Sequence, residues 1–527
     1  MRYIILIAIL SVTLKGFTQY QAVKSKTLGL NRYCDYAYAV KLVNTDERLH
    51  VLGLEEGEYN GTDLYQATYY PMDLDLNLSG TSQDYPSNWE PGASIIPRYF
   101  PIDIISTKDQ GTLLYCLADD LSDPNQNNWV ARIPTLIKLD STGKEEWLVR
   151  YTDYRDYFFG MKDESVDVLF EVDGGYMIAN SWPIQNENGA TSAPIGNQDL
   201  WLMKVDYQGS QQWVKGYGGT SKEINFGGVQ KENGNVGFLL STTSTDVDLS
   251  SRSDSGITGW YVELDSEGEL VRNQTFVTPG IEANEPSSTV IIYDLLYRNG
   301  RLLILGDYML KSESLPNHND TSKYKGDGFW FEYLIDSNTV LAPHFYGGTR
   351  PDYFNCGLYL QDGTIAFGGY VVSKDGDLDG KPDSTKGDAW FVQVDSLGEI
   401  VQMLTFDKPN TFRQQIFSMV EVNEDIYCLA SIETIANNIY WIIKLSKTST
   451  GLYEEVSRKP IIKAFPNPNN TGLLNTNLKA NYSLLDMQGR ILKSYIQSDV
   501  LDISDINSGT YLLQHESGAV VKIVVGY

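Results

Sequence analysis

The chain has 527 residues, 42% hydrophobic, 12% aromatic and 21% charged, a composition that supports a self-sufficient folded core. Its formal charge is −27, carried by the body rather than by the charge-balanced segment 460–527. Such a field repels nucleic acid and anionic membrane surfaces, excludes both as expected partners, and favours cations.

Arg2 followed by the apolar run Tyr3 to Leu14, with small residues Gly16 and Thr18 before Gln19, predicts a signal peptide over 1–19. That run is too short for a spanning helix and no later run approaches that length, so no membrane insertion is expected. From residue 20 the chain repeats. Short apolar strands start at Arg48, Thr112, Gly175, Asn235, Arg301, Thr364 and Asp425, a step of about 63 residues held along the whole body. Several follow a tight turn, as at Asp173-Gly174, Asn233-Gly234, Asn299-Gly300 and Asp362-Gly363, so an antiparallel partner is expected just upstream. Those partners read Tyr36 to Asn44, Tyr99 to Ser106, Asp167 to Val172, Thr289 to Tyr297 and Gln415 to Val422. Downstream comes a strand opened by an aromatic: Tyr65, Trp129, Trp201, Trp260, Trp330, Trp390 and Trp441. A polar turn such as Asp265-Ser266-Glu267-Gly268 then leads to a fourth strand, such as Gln211 to Tyr217.

Four antiparallel strands per unit predict an all-β fold, a seven-bladed β-propeller over 20–459. The tryptophans are expected to pack blade on blade. After Lys459-Pro460 the repeat stops. A turn-rich linker, Phe465-Pro466-Asn467-Pro468, leads into short alternating strands that predict a small C-terminal β-sandwich over 460–527.

That segment resembles the type A C-terminal sorting domain of the type IX secretion system. The resemblance rests on FPNP at Phe465 to Pro468, YSLLDMQGRIL at Tyr482 to Leu492, LDISDINSGTYLLQ at Leu501 to Gln514 and VVKIVV at Val520 to Val525. It implies recognition by the type IX secretion machinery through residues 460–527, and a body that is secreted or held on the outer cell surface. The body looks like the propeller repeats that often precede such domains, carried best by Trp201 to Asp206, Trp213 and Tyr217-Gly218-Gly219, and echoed at Tyr346-Gly347-Gly348.

The clearest ligand signal is Asp375-Gly376-Asp377-Leu378-Asp379-Gly380-Lys381-Pro382-Asp383. Alternating carboxylates around a glycine suit a hard cation, which takes oxygen ligands on a tight turn, so Asp375, Asp377, Asp379 and Asp383 are the expected ligands of Ca2+. The loop departs from the helical calcium loop at Pro382 and at Lys386, and its alternative reading is a polar connection. Asp246 and Asp248 form a weaker copy. Catalytic signals are weak: four histidines, His50, His318, His344 and His515, make no metal or triad pattern, so no catalytic residue is assigned. Cys116 and Cys428 read as small buried hydrophobes, and a Cys34–Cys356 bridge is open. Aromatics outside the strands, Tyr154, Tyr157, Phe158, Tyr353, Phe354 and Trp89, suit sugar or protein contacts or loop packing. The leading expectation is a non-enzymatic binding propeller for a carbohydrate or protein, with any ligand on the face of the long loops between second and third strands. The alternative is a polysaccharide hydrolase with acids in the propeller channel.

Overall fold

The computed structural model describes residues 20–28, 39–45, 48–59, 62–79, 83–85, 98–119, 132–155, 166–180, 185–186, 198–253, 257–277, 289–310, 325–379, 381, 387–408, 411–433, 438–447, 464–465, 472–486, 490–515 and 520–526. The signal-peptide segment, Cys34, Trp89, Trp129, Tyr157, Phe158, His318, Asp383 and Pro466 to Pro468 lie outside them. The chain divides into two compact units, Met1–Thr448 and Ser449–Tyr527, ahead of the boundary expected at 459/460.

The first unit is all-β; its described sheets are mostly four-stranded and antiparallel, of the kind that form propeller blades, with one of five strands and one two-stranded ladder. One such sheet runs Glu223–Gln230, Val236–Thr242, Thr258–Leu264, Leu270–Phe276 in chain order. The innermost strands are Ala39–Thr45, Tyr99–Ser106, Val168–Val172, Glu223–Gln230, Thr289–Arg298, Asp352–Tyr359 and Arg413–Val422. Each packs against the next, and Arg413–Val422 packs against Ala39–Thr45. The last sheet takes its fourth strand from the start of the chain. Tyr20–Leu28 pairs antiparallel with Asn438–Lys447, and the Tyr20 backbone exchanges two hydrogen bonds with the Gln402 side-chain amide at 2.7 and 2.6 Å.

Middle strands such as Leu200–Val205 and Thr258–Leu264 are buried along their whole length, because a neighbouring sheet covers each face. This explains why they read as continuous apolar runs rather than alternating ones. Between adjacent sheets Met177, Ala179 and Leu202 meet Phe238, Leu240 and Trp260. Trp201, Trp260 and Trp390 are fully buried. Truncating one to alanine would cost about 3–5 kcal/mol.

The repeated turn also has a local cause. The aspartate that opens it accepts the backbone N–H groups two and four residues on: Asp265 from Glu267 and Glu269, both at 2.9 Å, and Asp395 from Leu397 at 2.8 Å and Glu399 at 2.9 Å. The glycine three residues on takes φ +71° at Gly268 and +82° at Gly398, a region that penalises a side chain.

In the second unit Leu473–Leu485 pairs with Ile491–Asp502 along one edge and with Ala464–Phe465 and Gly509–His515 along the other, and Val520–Val525 completes the sheet. The strands of this unit are thus connected in one hydrogen-bonded sheet. Register shifts between Asn475 and Tyr482 let the long strand bend around Leu474, Tyr482, Leu484, Leu501, Leu513 and Ile523.

Candidate functional site

The innermost strands carry a β-bulge at one recurring position: between Ala39 and Lys41, Pro101 and Asp103, Asn225 and Gly227, Ile292 and Asp294, Phe354 and Cys356, and Ile416 and Ser418. A bulge re-aims the side chains beside it. The residues just after it, among them Lys41, Asp103, Asp294 and Ser418, line a cavity of about 630 Å³ walled by the inner strands of successive sheets. Their polar atoms tie sheet to sheet. Asp103 accepts its own next backbone N–H, from Ile104 at 2.8 Å, and Leu169 N–H of the following sheet at 3.0 Å. Asp294 does the same with Leu295 at 2.8 Å and Gly357 at 2.9 Å. The Ser418 hydroxyl accepts Leu42 N–H at 3.1 Å.

Lys41 donates to Asp103 at 2.8 Å. Burial works against its ammonium, yet the adjoining Asp103 carboxylate holds its pKa above the ordinary lysine value. Burial pushes the Asp294 acid up to about 6, against two backbone bonds and the Lys41 charge that favour ionisation.

Tyr293 belongs to this wall and carries it outward to an aromatic cluster. Tyr293 is 37% exposed, and its ring lies 5.9 Å from that of Tyr353, which in turn lies 5.1 Å from that of Tyr370. The Arg413 guanidinium sits 4.7 Å from the Tyr370 ring and 5.8 Å from the Tyr353 ring, and donates to the Tyr353 hydroxyl. That hydroxyl also donates to Gln415 Oε1 at 3.1 Å. Arg413 opens its inner strand and Tyr370 stands near the end of a second strand, so the cluster lies at the sheet ends from which the long loops leave. Nearby, Asp307 is 7% exposed, and burial with the Asp352 carboxylate pushes its acid up to about 7.

The residues expected to bind calcium are placed as follows. Asp375 accepts both Thr349 N–H at 2.8 Å and Thr349 Oγ1–H at 2.7 Å, and Asp377 accepts Gly347 N–H at 3.0 Å. Asp352 takes Gly348 N–H at 2.9 Å and Ser373 Oγ takes Arg350 N–H at 2.8 Å. The carboxylates thus latch the segment Gly347 to Arg350 that crosses into this sheet. The weaker copy repeats the latch: Asp246 accepts Thr220 N–H at 2.9 Å and its hydroxyl at 2.6 Å, and Asp248 accepts Gly218 N–H at 2.9 Å. The Gly-Gly pair is explained by this close approach, since a Cβ on Gly348 would lie 2.4 Å from Asp375 Oδ1. Asp379 is exposed in the same loop, and Asp383 lies outside the described residues. Among the described residues no group of three or more His, Cys, Asp or Glu is arranged to hold a metal.

Other sequence candidates are packing residues. His50 is buried on Tyr69, and burial lowers its pKa to about 4. His344 stacks on Trp330 at 4.3 Å and His515 lies edge-on to Tyr482. Phe354 is no loop aromatic: it lies between Phe367 and Trp390, both at 4.8 Å. Tyr154 packs on Trp201. Cys116, Cys356 and Cys428 are buried free thiols with pKa values raised by burial. Sequence reasoning missed the bulges and Arg413. The one available signal was a charged or polar residue recurring inside otherwise apolar inner strands.

Residues 463–525 match the family described as the secretion system C-terminal sorting domain. The segment is a type IX sorting domain. The sorting domain marks the protein as secreted or attached to the outer cell surface, and implies recognition by the type IX secretion machinery. Among the described residues no helix is long and apolar enough to cross a membrane. No curated protein matches the chain. Among solved structures the chain is similar to a Trypanosoma rangeli sialidase in complex with the inhibitor DANA, at 9% identity and a TM-score of 0.37, over 80% of this chain and 60% of that one. It is also similar to a puromycin hydrolase mutant, at 11% identity and a TM-score of 0.40, over 83% and 58%. A third is an α-L-arabinofuranosidase from Fusarium graminearum with an iminosugar inhibitor, at 13% identity and a TM-score of 0.33, over 66% and 92%. The chain thus spans about three fifths of the length of the first two.

Proposed function

We propose that the body is a seven-bladed β-propeller, closed by Tyr20–Leu28, that binds a carbohydrate outside the cell without transforming it. The observation that carries this reading is the axial cavity of about 630 Å³ opening beside the exposed Tyr293 ring and its neighbours Tyr353 and Tyr370. Aromatic faces beside a polar-lined recess suit a sugar, whose ring has apolar C–H faces and a polar edge. Asp103 and Asp294, two acids that line the cavity, are engaged in backbone bonds between sheets, which supports a structural role for both. Calcium at Asp375, Asp377, Asp379 and Asp383 is a separate proposal, and its readout is a calcium-dependent shift in melting temperature. The carbohydrate reading is tested by presenting the purified full chain to a panel of neutral and acidic glycans and assaying the same glycans for cleavage. Saturable retention without new reducing ends is the expected result. Turnover that stops in Asp294→Asn would instead establish the hydrolase, and absence of binding to any glycan would refute the carbohydrate reading.

A further inference from the structure

Acidic side chains outnumber basic ones by 68 to 41, so a partly buried arginine in this body should find a carboxylate with ease. Arg98, Arg132 and Arg272 each do, and Arg150 settles on the Asp119 backbone carbonyl at 2.8 Å. Among the described residues Arg413 does not. It meets the Tyr353 hydroxyl and the faces of Tyr353 and Tyr370, and its Nε–H is buried without a hydrogen-bond partner among the described residues. Glu433, its cross-strand partner, attracts it only at longer range. A guanidinium that gives up water carries a desolvation cost until an anion meets it. Tyrosine faces offer part of that compensation and hold the planar fork in a fixed orientation.

The surroundings indicate what arrives. Next to the arginine cradle stands Tyr293, exposed, forming the cavity wall, and 5.9 Å from Tyr353. An anion fork and an exposed aromatic plate one ring apart match a pyranose bearing an acidic group: the sugar face lies on the plate and the carboxylate meets the fork. We propose that Arg413 and Tyr293 form an acidic-sugar subsite at the cavity mouth, with Arg413 reading a uronic-type carboxylate and Tyr293 stacking on the ring that carries it. This rests on the carbohydrate reading above and sharpens it to a ligand class. The acid-rich body disfavours a long polyanion, so the ligand is engaged through one or a few charged residues at the end or within a short stretch of the glycan.

The test is isothermal titration of the full chain with three probes of equal length: trigalacturonate, the neutral galactose trisaccharide and a sulfated trisaccharide. The wild type should bind trigalacturonate at least tenfold tighter than the neutral sugar, equivalent to about 1.4 kcal/mol. Arg413→Gln should abolish that preference, so that a chain that still melts cooperatively binds acidic and neutral sugars alike. Arg413→Lys should retain part of it, as a point charge without the fork. Tyr293→Ala, at an exposed ring, should weaken both sugars alike. Equal binding of acidic and neutral sugars by the wild type, or an undiminished preference in Arg413→Gln, overturns the inference while leaving carbohydrate binding intact. A preference for the sulfated probe over the uronate overturns the carboxylate assignment. Binding of no saccharide overturns both readings.

Discussion

Replacing Asp307 by asparagine is expected to make the body more stable at neutral pH and to flatten its pH dependence. Asp307 lies on the second strand Arg301–Leu310, almost fully buried, with Oδ1 lacking a hydrogen-bond partner among the described residues. Burial, reinforced by the Asp352 carboxylate, raises its acid from 3.8 to about 7. The folded form therefore holds a proton that the unfolded chain has already released. Stability is greatest below about pH 4 for this group and declines as pH rises through about 7. At about 1.4 kcal/mol per unit, the decline approaches about 4 kcal/mol. An asparagine side chain in its place would keep the size and the neutral state and carry no such titration. For a body of several hundred residues each kcal/mol moves the melting temperature by roughly 1 °C. The assay is a melting series of wild type and Asp307→Asn from pH 4 to pH 8. Wild type should lose several degrees more than the variant between pH 5 and pH 8. Asp352 and Asp294, both raised to about 6 by burial, add a decline of the same sign to each protein. Parallel curves for the two proteins, or wild-type stability that climbs over this interval, would refute the reasoning.

Gly348→Ala places a Cβ 2.4 Å from Asp375 Oδ1 and 2.6 Å from both the Asp375 carbonyl and Ser373 Cβ. Backbone must shift, so a loss of about 1–3 kcal/mol is expected in chemical denaturation. Asp375→Ala removes the acceptor of two Thr349 donors and should lower the melting temperature even in EDTA, where the latch acts alone. A rise in the wild-type melting temperature with millimolar calcium that Asp377→Ala abolishes would in addition establish the ion proposed at this loop. Removing 460–527 should leave a folded body that accumulates inside the cell envelope, measured by fractionation and limited proteolysis; normal amounts outside the cell would contradict the sorting role.

Much of this protein was legible along the chain because its determinants are local. The turn Asp265 to Gly268 needs an acceptor that reaches its own backbone and a residue that tolerates positive φ, and both are visible as letters. Apolar strands and tryptophans recur because every sheet buries both faces in the same way, and the sorting motifs form a small unit with its own core. Other features exist only after sheets are brought together. Tyr20–Leu28 looks like any strand; its partner Asn438–Lys447 is selected by the return of the last sheet to the first. Asp375 and Asp377 carry the spacing of a cation loop, and they also accept backbone donors from the Gly-Gly segment Gly347 to Thr349, contacts the loop's own residues do not reveal. The bulges that turn Asp103 and Asp294 toward the cavity depend on register between paired strands. Arg413 gains its meaning from Tyr353 and Tyr370, 60 and 43 positions away, and from the carboxylate it does not meet among the described residues. Repetition and turn chemistry are properties of neighbours in sequence. Closure, latching and the cavity arise from desolvation and hydrogen-bond competition between residues that only folding makes neighbours.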